Sequence, residues 1–263
     1  MARFNSLIPL DQIETDPKIV LSIKRNDLVP LLDDQYRLNH FADQLIQAQS
    51  VLLNSIDAEL NHQLSHVIGL LIEKLSQSDR QLKKRKFNRL QKWLGIDLEY
   101  DQNQLYYFNA LQSLIDEANT LSQRLQVEIQ KSQARVQQLL GLREQMATYI
   151  VAAKEFLNEY PEFVNHRHPL DNFQERLSKK INTLHTLQVS NDIAITQMQL
   201  AQQLSFTLLD RFKEAQQVLI PAWQYHLKQS MQTASVSELQ KLDRSRDNLL
   251  NTLKQSLDQN KVS

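Results

Sequence analysis

The sequence predicts an all-α protein: an elongated antiparallel helical bundle, or coiled-coil hairpin, of very long helices. The chain of 263 residues is rich in the helix formers Leu, Gln, Lys, Arg and Glu, and it holds only 3 Gly and 6 Pro. Over residues 101–160, apolar or small side chains recur mostly in alternating steps of three and four, without an intervening proline. This is the spacing of a heptad helix. A second run with helical spacing covers residues 173–220.

The amino-terminal stretch is predicted to differ from the rest. Pro9, Pro17 and Pro30 fall in its first 32 residues, where apolar and acidic side chains mix without a long period. Because proline lacks the backbone N–H that a helix interior needs, we expect residues 1–32 to form an irregular arm with at most a short helix. No linker-like stretch follows, so residues 33–263 are predicted to form a single elongated helical domain.

Two helices are expected before the longest one. Asp33 or Asp34 can cap a helix that continues to about residue 78, because apolar residues keep a core-facing stripe through that stretch. A basic helix is predicted to follow over about residues 79–94 and to end at Gly95.

The helix over residues 101–160 is the longest predicted element. At about 1.5 Å per residue it would span roughly 90 Å, so we expect an elongated molecule. Leu121, Leu125 and Ile129 are separated by two successive steps of four. Such a stutter would locally unwind a left-handed supercoil. Arg143 is the charged exception among the seam positions.

The helix over residues 173–220 is predicted to end at a proline. Pro221 removes an intrahelical hydrogen bond and should kink or break the helix. A turn of 11 residues, 161–171, joins the two long helices, so they should pack antiparallel to bury both stripes. A last helix is expected from Ser237, which opens a capping-box pattern, to about Asp258.

Charge and cysteine content exclude several classes of protein. Thirty Lys plus Arg balance 30 Asp plus Glu, so no global field attracts the chain to nucleic acid, and no nucleic-acid partner is expected. The absence of cysteine excludes disulfides, thiolate metal sites and a cysteine nucleophile. No stretch has the roughly 18 consecutive apolar residues of a membrane span, and the first residues lack the apolar region of a signal peptide. We therefore expect a cytoplasmic protein that is at most peripheral to a membrane.

One cluster of positive charge stands out in the basic helix. Its cations surround Phe87, Leu90, Trp93 and Leu94, which share one helical face. This is the pattern of a basic amphipathic helix that can meet anionic lipid headgroups, nucleic-acid phosphates or an acidic protein. The alternative is that the apolar face packs into the bundle and the cations are a solvated face. The residues predicted to bind an anionic surface are Lys83, Lys84, Arg85, Lys86, Arg89 and Lys92.

Histidines and catalytic motifs point to no enzyme. His62 and His66 stand four apart on a helix, but no third ligand pattern accompanies them, so we expect surface or core histidines. His166 and His168 lie in the turn and predict a polar, exposed loop. With 3 Gly, the chain has no Gly-rich phosphate loop and no G-x-S-x-G elbow. We expect no enzymatic activity, no metal site and no cofactor.

Three pieces of the sequence are more specific than heptad composition. They are Tyr107 and Phe108, the stretch ATYIVAAKEF at residues 147–156, and the run LIPAW at residues 219–223. A proline inside a helix costs about 3 kcal/mol, so coiled-coil composition alone does not account for the last run. These pieces, within about residues 80–230, resemble the toxic anion resistance family, the TelA-like proteins linked by name to tellurite resistance. The residues that match the family's Ile-Pro-x-Trp motif are Ile220, Pro221 and Trp223.

The resemblance implies a cytoplasmic protein associated with resistance to tellurite and similar oxyanions, or with envelope stress. We therefore interpret the chain as a non-catalytic helical scaffold or adaptor that binds a protein partner, a second copy of itself or a membrane surface. Pro221 and Trp223 are expected to serve as a structural kink and anchor. The alternative is a peripheral membrane or filament-forming coiled coil unrelated to anions, in which the basic helix and the length of the rod determine the function.

Overall fold

The structure is a computed structural model, and it describes residues 7–32, 34, 36–54, 56–77, 96–163, 172–233 and 236–258. Of these residues, 92% lie in helices and none lies in a β-strand, so the predicted all-α class is confirmed. The α-helices are α1 (Pro17–Ile23), α2 (Asp43–Leu52), α3 (Ala58–Ser76), α4 (Ile96–Phe163), α5 (Phe173–Glu214), α6 (Ile220–Thr233) and α7 (Val236–Asp258).

Contacts between residues divide the chain into two compact units. Unit 1 comprises Met1–Ser55 and Lys131–Ala201, and unit 2 comprises Ile56–Gln130 and Gln202–Ser263. The boundary between the units falls within both long helices, so α4 and α5 each contribute one segment to unit 1 and another to unit 2. The predicted division of the chain into an arm and a single domain at residue 33 stays a prediction.

The three residues of the predicted stutter on α4, Leu121, Leu125 and Ile129, are all buried. The buried positions Ala118, Ser122, Leu125 and Ile129 also follow alternating steps of four and three. Ser122 is only 3% exposed, so it is buried next to Leu121 at this point of the seam. Its hydroxyl donates to the backbone carbonyl of Asn119 at 2.9 Å, and this hydrogen bond satisfies the small polar side chain in the core.

Helix α4 is also longer than predicted at both ends. It begins at Ile96 and ends at Phe163, so Pro161 lies inside its last turn.

In unit 1, α4 and α5 run antiparallel. The rings of Tyr160 and Phe173 stack with centroids 5.1 Å apart. Farther along both helices, Arg143 of α4 pairs with Asp192 of α5. Residue numbers fall along α4 as those of its α5 partners rise, which agrees with the predicted pairing. A small apolar cluster continues the seam, and its buried members are Val136, Leu139, Ile195 and Met198.

Residues 7–32 pack into unit 1. Helix α1 begins after Asp16, whose carboxylate accepts a hydrogen bond from the backbone N–H of Lys18 at 2.8 Å. A π-helical turn, Lys24–Leu28, and a 3-10 turn, Val29–Leu32, follow. The apolar side chains that this segment contributes to the core of unit 1 are Leu10, Val20, Ile23, Leu28 and Leu31.

The prediction of a single helix over residues 33–78 is wrong, because the helix is interrupted twice within this range. The carboxylate of Asp34 accepts hydrogen bonds from the backbone N–H groups of Tyr36 and Arg37, but only a 3-10 turn, Arg37–His40, follows. Ala42 then adopts a left-handed conformation with φ 63°, which separates this turn from α2. Helix α3 starts independently, with Asp57 as its cap. Apolar spacing continues through both breaks, so periodicity alone predicted one helix.

Unit 2 combines α3, α6 and α7 with one segment each of α4 and α5. The hydroxyl of Tyr107 on α4 donates to the backbone carbonyl of Lys74 on α3 at 2.9 Å. Lys213 on α5 donates to the side-chain oxygen of Gln126 on α4 at 2.7 Å. Helix α7, Val236–Asp258, begins one residue before the predicted start and ends where the sequence predicts.

Candidate functional site

The predicted anionic-surface site lies outside the described residues. The structure describes neither the basic helix over residues 79–94 nor the turn that holds His166 and His168. The residues concerned in the basic helix are Lys83, Lys84, Arg85, Lys86, Arg89 and Lys92. This binding surface therefore stays a prediction from the sequence.

The predicted histidine pair shows no metal-site geometry. His62 and His66 are both exposed on α3. Throughout the part of the chain that the structure describes, no group of three or more His, Asp or Glu side chains is arranged to hold a metal ion. Within the same ranges, no helix combines the length and the apolar character that crossing a bilayer requires.

The Ile-Pro-x-Trp motif lies at a change of helix type in unit 2. A π-helical turn, Ala215–Leu219, directly precedes α6. The wider π turn accommodates Pro221, which has no backbone N–H to donate and whose ring would crowd a regular α-helix. The helical path therefore changes type before Pro221 and continues after it. Ile220 and Trp223 are buried in the apolar core of unit 2, and Trp223 is only 1% exposed.

Arg143 is the one residue with a formal charge among the buried positions of the described chain. Its side chain lies in unit 1 and is 4% exposed. The guanidinium makes two parallel hydrogen bonds to Asp192, from Nε to Oδ1 at 2.8 Å and from Nη2 to Oδ2 at 2.9 Å. Nη2 also donates to the backbone carbonyl of Ile8 at 2.5 Å. Because the planar guanidinium matches the carboxylate, this pair joins α4, α5 and the residues before α1 in a fixed geometry.

The carboxylate of Asp192 extends these contacts to α2. Its Oδ1 accepts from Nε2 of Gln188 at 2.7 Å. Oε1 of Gln188 accepts from Nε2 of Gln49 at 2.8 Å, and Oε1 of Gln49 accepts from Nδ2 of Asn191 at 2.7 Å. Gln49 and Gln188 are fully buried, so their amides exchange hydrogen bonds with protein groups in place of water. We call Arg143, Asp192, Gln188, Gln49, Asn191 and the Ile8 carbonyl the polar network.

The sequence indicated only half of the polar network. Arg143 is visible as a charged exception in the α4 seam. On α5, the corresponding signal is an interruption of the apolar stripe between Leu184 and Ile195, where polar residues, Gln188 and Asn191, take the seam positions. An arginine facing such a gap predicts a buried polar cluster, but matching the two requires the alignment of α4 against α5. Periodicity alone does not fix that alignment.

Lys24 fastens the π-helical turn after α1 to the end of α4. Its Nζ lies 2.8 Å from Oε1 of Glu159 and 3.0 Å from Oε2 of Glu155. The hydrogen bond to Glu159 raises the pKa of Lys24 above its usual 10.5, and burial opposes this increase only in part. The ammonium therefore stays charged between the two carboxylates over a wide pH range.

A second cluster fastens the left-handed turn at Ala42 to α5. Lys180 of α5 lies 2.9 Å from Oδ1 of Asp43 and also donates to the backbone carbonyl of Asn39. Burial raises the pKa of Asp43, but hydrogen bonds from Lys180 and His40 outweigh it and hold the pKa below its usual 3.8. Lys180 thus contacts the chain on both sides of Ala42.

The chain is therefore an all-α protein. In unit 1, its buried polar and charged side chains bind one another and hold the helices in place. A protein named Protein KlaA, from Escherichia coli, is 28% identical to this chain over 225 residues, which cover 82% of this chain and 85% of that protein. No family model matches the chain, and no solved structure matches it.

Proposed function

We propose that this chain is a non-catalytic helical scaffold or adaptor similar to the toxic anion resistance proteins. In this proposal it acts in the cytoplasm, in resistance to tellurite or related oxyanions or in envelope stress. It works by binding a protein partner, a second copy of itself or an anionic membrane surface, rather than by converting a substrate.

The observation that carries the proposal is the LIPAW run at residues 219–223 together with its surroundings. A proline is costly in a helix, and here a π turn accommodates Pro221 while Trp223 fills the core of unit 2. The similarity to Protein KlaA covers most of both chains, so it is not confined to one heptad-rich segment. The name of that relative states no activity, so the link to oxyanions rests on the motif resemblance.

The residue chemistry favours binding over catalysis. Reducing tellurite to elemental tellurium takes electrons that thiols commonly supply, and this chain has no cysteine. Arg143 is a cation buried in the described core, but Asp192 and the carbonyl of Ile8 already occupy its donors Nε and Nη2. A side chain held in this way fixes the helices that carry it and does not present a free charge to a substrate.

Tellurite tolerance tests the proposed function. A strain that lacks the gene would receive the wild-type chain, Trp223→Ala or Tyr225→Ala, each at the same protein level. Tyr225 is the matched control because it is an exposed aromatic residue on the same helix. We expect the wild type and Tyr225→Ala to raise the minimal inhibitory concentration of tellurite and Trp223→Ala to fail. Equal sensitivity of the wild-type strain and the empty-vector strain would overturn the proposed role in tellurite resistance.

Membrane binding has its own test, because the basic helix is the strongest local charge in the sequence. Replacing Lys83, Lys84, Arg85 and Lys86 by Gln keeps residues of comparable helix propensity while removing four charges. We expect this variant to lose sedimentation with anionic liposomes at low salt, since such attraction depends on the local cations. The matched control replaces four exposed lysines, Lys18, Lys154, Lys228 and Lys254, by Gln and should bind like the wild type. If the wild-type protein does not sediment with these liposomes, membrane binding is excluded. A protein partner or a second copy of the chain is then the proposed binding partner.

A further inference from the structure

Heptad spacing alone does not select one alignment of α4 and α5 in unit 1. Both helices bury residues at heptad spacing, with Leu139, Met146 and Ile150 on α4 and Ile181 and Leu184 on α5. When a heptad seam slides by seven residues, apolar positions again face apolar positions. Some other feature must therefore distinguish the observed alignment from its shifted neighbours.

The ion pair of the polar network makes that distinction. In the observed alignment, Arg143 faces Asp192. Seven residues to either side of Asp192, α5 offers His185 or Gln199, and neither is a carboxylate. The nearest other acids on α5 are Glu175 and Asp210, each more than two heptads away. A shifted hairpin would therefore bury the Arg143 guanidinium without a carboxylate, which is strongly unfavourable.

The amides of the polar network connect this alignment to α2. Gln49 bonds to both Gln188 and Asn191, and these residues lie on the same α5 segment as Asp192. A shift of α5 would break these hydrogen bonds and leave buried amide groups without partners. One displacement of α5 thus disrupts its polar contacts with both α4 and α2.

We propose that the Arg143–Asp192 ion pair is a register lock, which holds α4 and α5 of unit 1 in the observed alignment and excludes alignments shifted by one heptad. The neighbouring amides make α2 part of the same lock. The apolar seam residues on either side of the ion pair stabilise the helix pair, whereas the ion pair restricts it to one alignment. Polar groups in otherwise apolar heptad seams are known to specify register in this way.

Distance measurements on the full-length chain test the lock directly. Since the chain has no cysteine, Gln145→Cys and Gln197→Cys give two unique spin-label sites on exposed positions of α4 and α5. A slip that brings Gln199 opposite Arg143 moves the labels along the helix axes by roughly 10 Å, because seven residues each rise about 1.5 Å. We expect the wild-type chain to give one narrow distance distribution.

Two variants then move or remove the lock. In Asp192→Asn/Gln199→Asp the carboxylate lies one heptad farther along α5, and we expect the labels to move closer by several ångströms. In Arg143→Met/Asp192→Leu the pair is replaced by apolar side chains, and we expect the chain to stay helical with at least two distances. If Asp192→Asn/Gln199→Asp does not fold, the distances in Arg143→Met/Asp192→Leu alone test the proposal.

The control breaks a different ion pair in the same unit. Lys180→Met removes the contact with Asp43 but leaves the polar network intact, so it should keep the wild-type distance. The proposal is overturned if a folded Arg143→Met/Asp192→Leu chain keeps the single wild-type distance, since the ion pair is then not needed to set the register. It is equally overturned if Lys180→Met shifts the labels as much as the lock variants do.

Discussion

Replacing Trp223 by Ala should destabilise unit 2 severely. The indole is 1% exposed, and the same core contains the fully buried Phe212, Leu249 and Leu253. Burying up to about 250 Å² of aromatic surface at about 25 cal/mol per Å² gives an upper estimate near 6 kcal/mol. Truncations of buried large aromatic residues cost about 3–5 kcal/mol, so we expect a loss of about 4 kcal/mol in the free energy of unfolding.

Urea unfolding followed by circular dichroism measures this loss, and tryptophan fluorescence reports on the chain that keeps Trp223. A Trp93→Phe background leaves Trp223 as the single tryptophan of the chain, so its emission should shift to longer wavelength as the core of unit 2 opens. The matched control is Tyr225→Ala, because Tyr225 is 59% exposed on the same helix and should cost about 0.5 kcal/mol or less. If Trp223→Ala costs no more than Tyr225→Ala, the indole does not anchor the core and the reasoning fails.

Three further predictions concern stability. Gly69→Ala and Gly141→Ala should each raise the free energy of unfolding by about 0.5–1 kcal/mol in urea titrations, because both glycines lie inside helices with open space at the missing Cβ; a loss of stability in either would contradict this. Ala42→Val should lower the melting temperature well below that of Ala42→Gly, since a β-branched residue disfavours the left-handed conformation at φ 63°; equal melting temperatures would show that this turn is not strained. The stability difference between the wild type and Lys24→Met should be fully present below about pH 10.5 and should vanish as pH rises through the raised pKa of Lys24, when the ammonium loses its proton; a difference that persists unchanged above that pKa would exclude the ion pair as its source.

The heptad spacing predicted the long helices well because each one buries a continuous stripe. Their antiparallel pairing in unit 1 also followed from sequence, since neither stripe is satisfied alone. The spacing failed where a backbone feature overrides periodicity. Ala42 adopts a left-handed conformation although its methyl group fits an apolar stripe, and the predicted helix is interrupted there.

The candidate site was less accessible from sequence because it depends on alignment between distant segments. Arg143 could be singled out alone, whereas its partners Asp192 and Gln49 follow only from the packing of α2, α4 and α5. The Pro-x-Trp run was recognisable because a proline is costly within a helix. The π turn that accommodates this proline could not be predicted, because single-residue preferences do not indicate where a helix changes type.

Tellurite reduction by the purified full-length chain tests the central claim, that this protein is a scaffold and not a reductase. The protein would be incubated with tellurite and either NADPH or a small thiol, and the absorbance of elemental tellurium would be followed against a protein-free blank. We predict equal rates in both samples, because the chain has no cysteine to transfer electrons. A rate that rises in proportion to protein concentration, and that heat denaturation abolishes, would contradict the account.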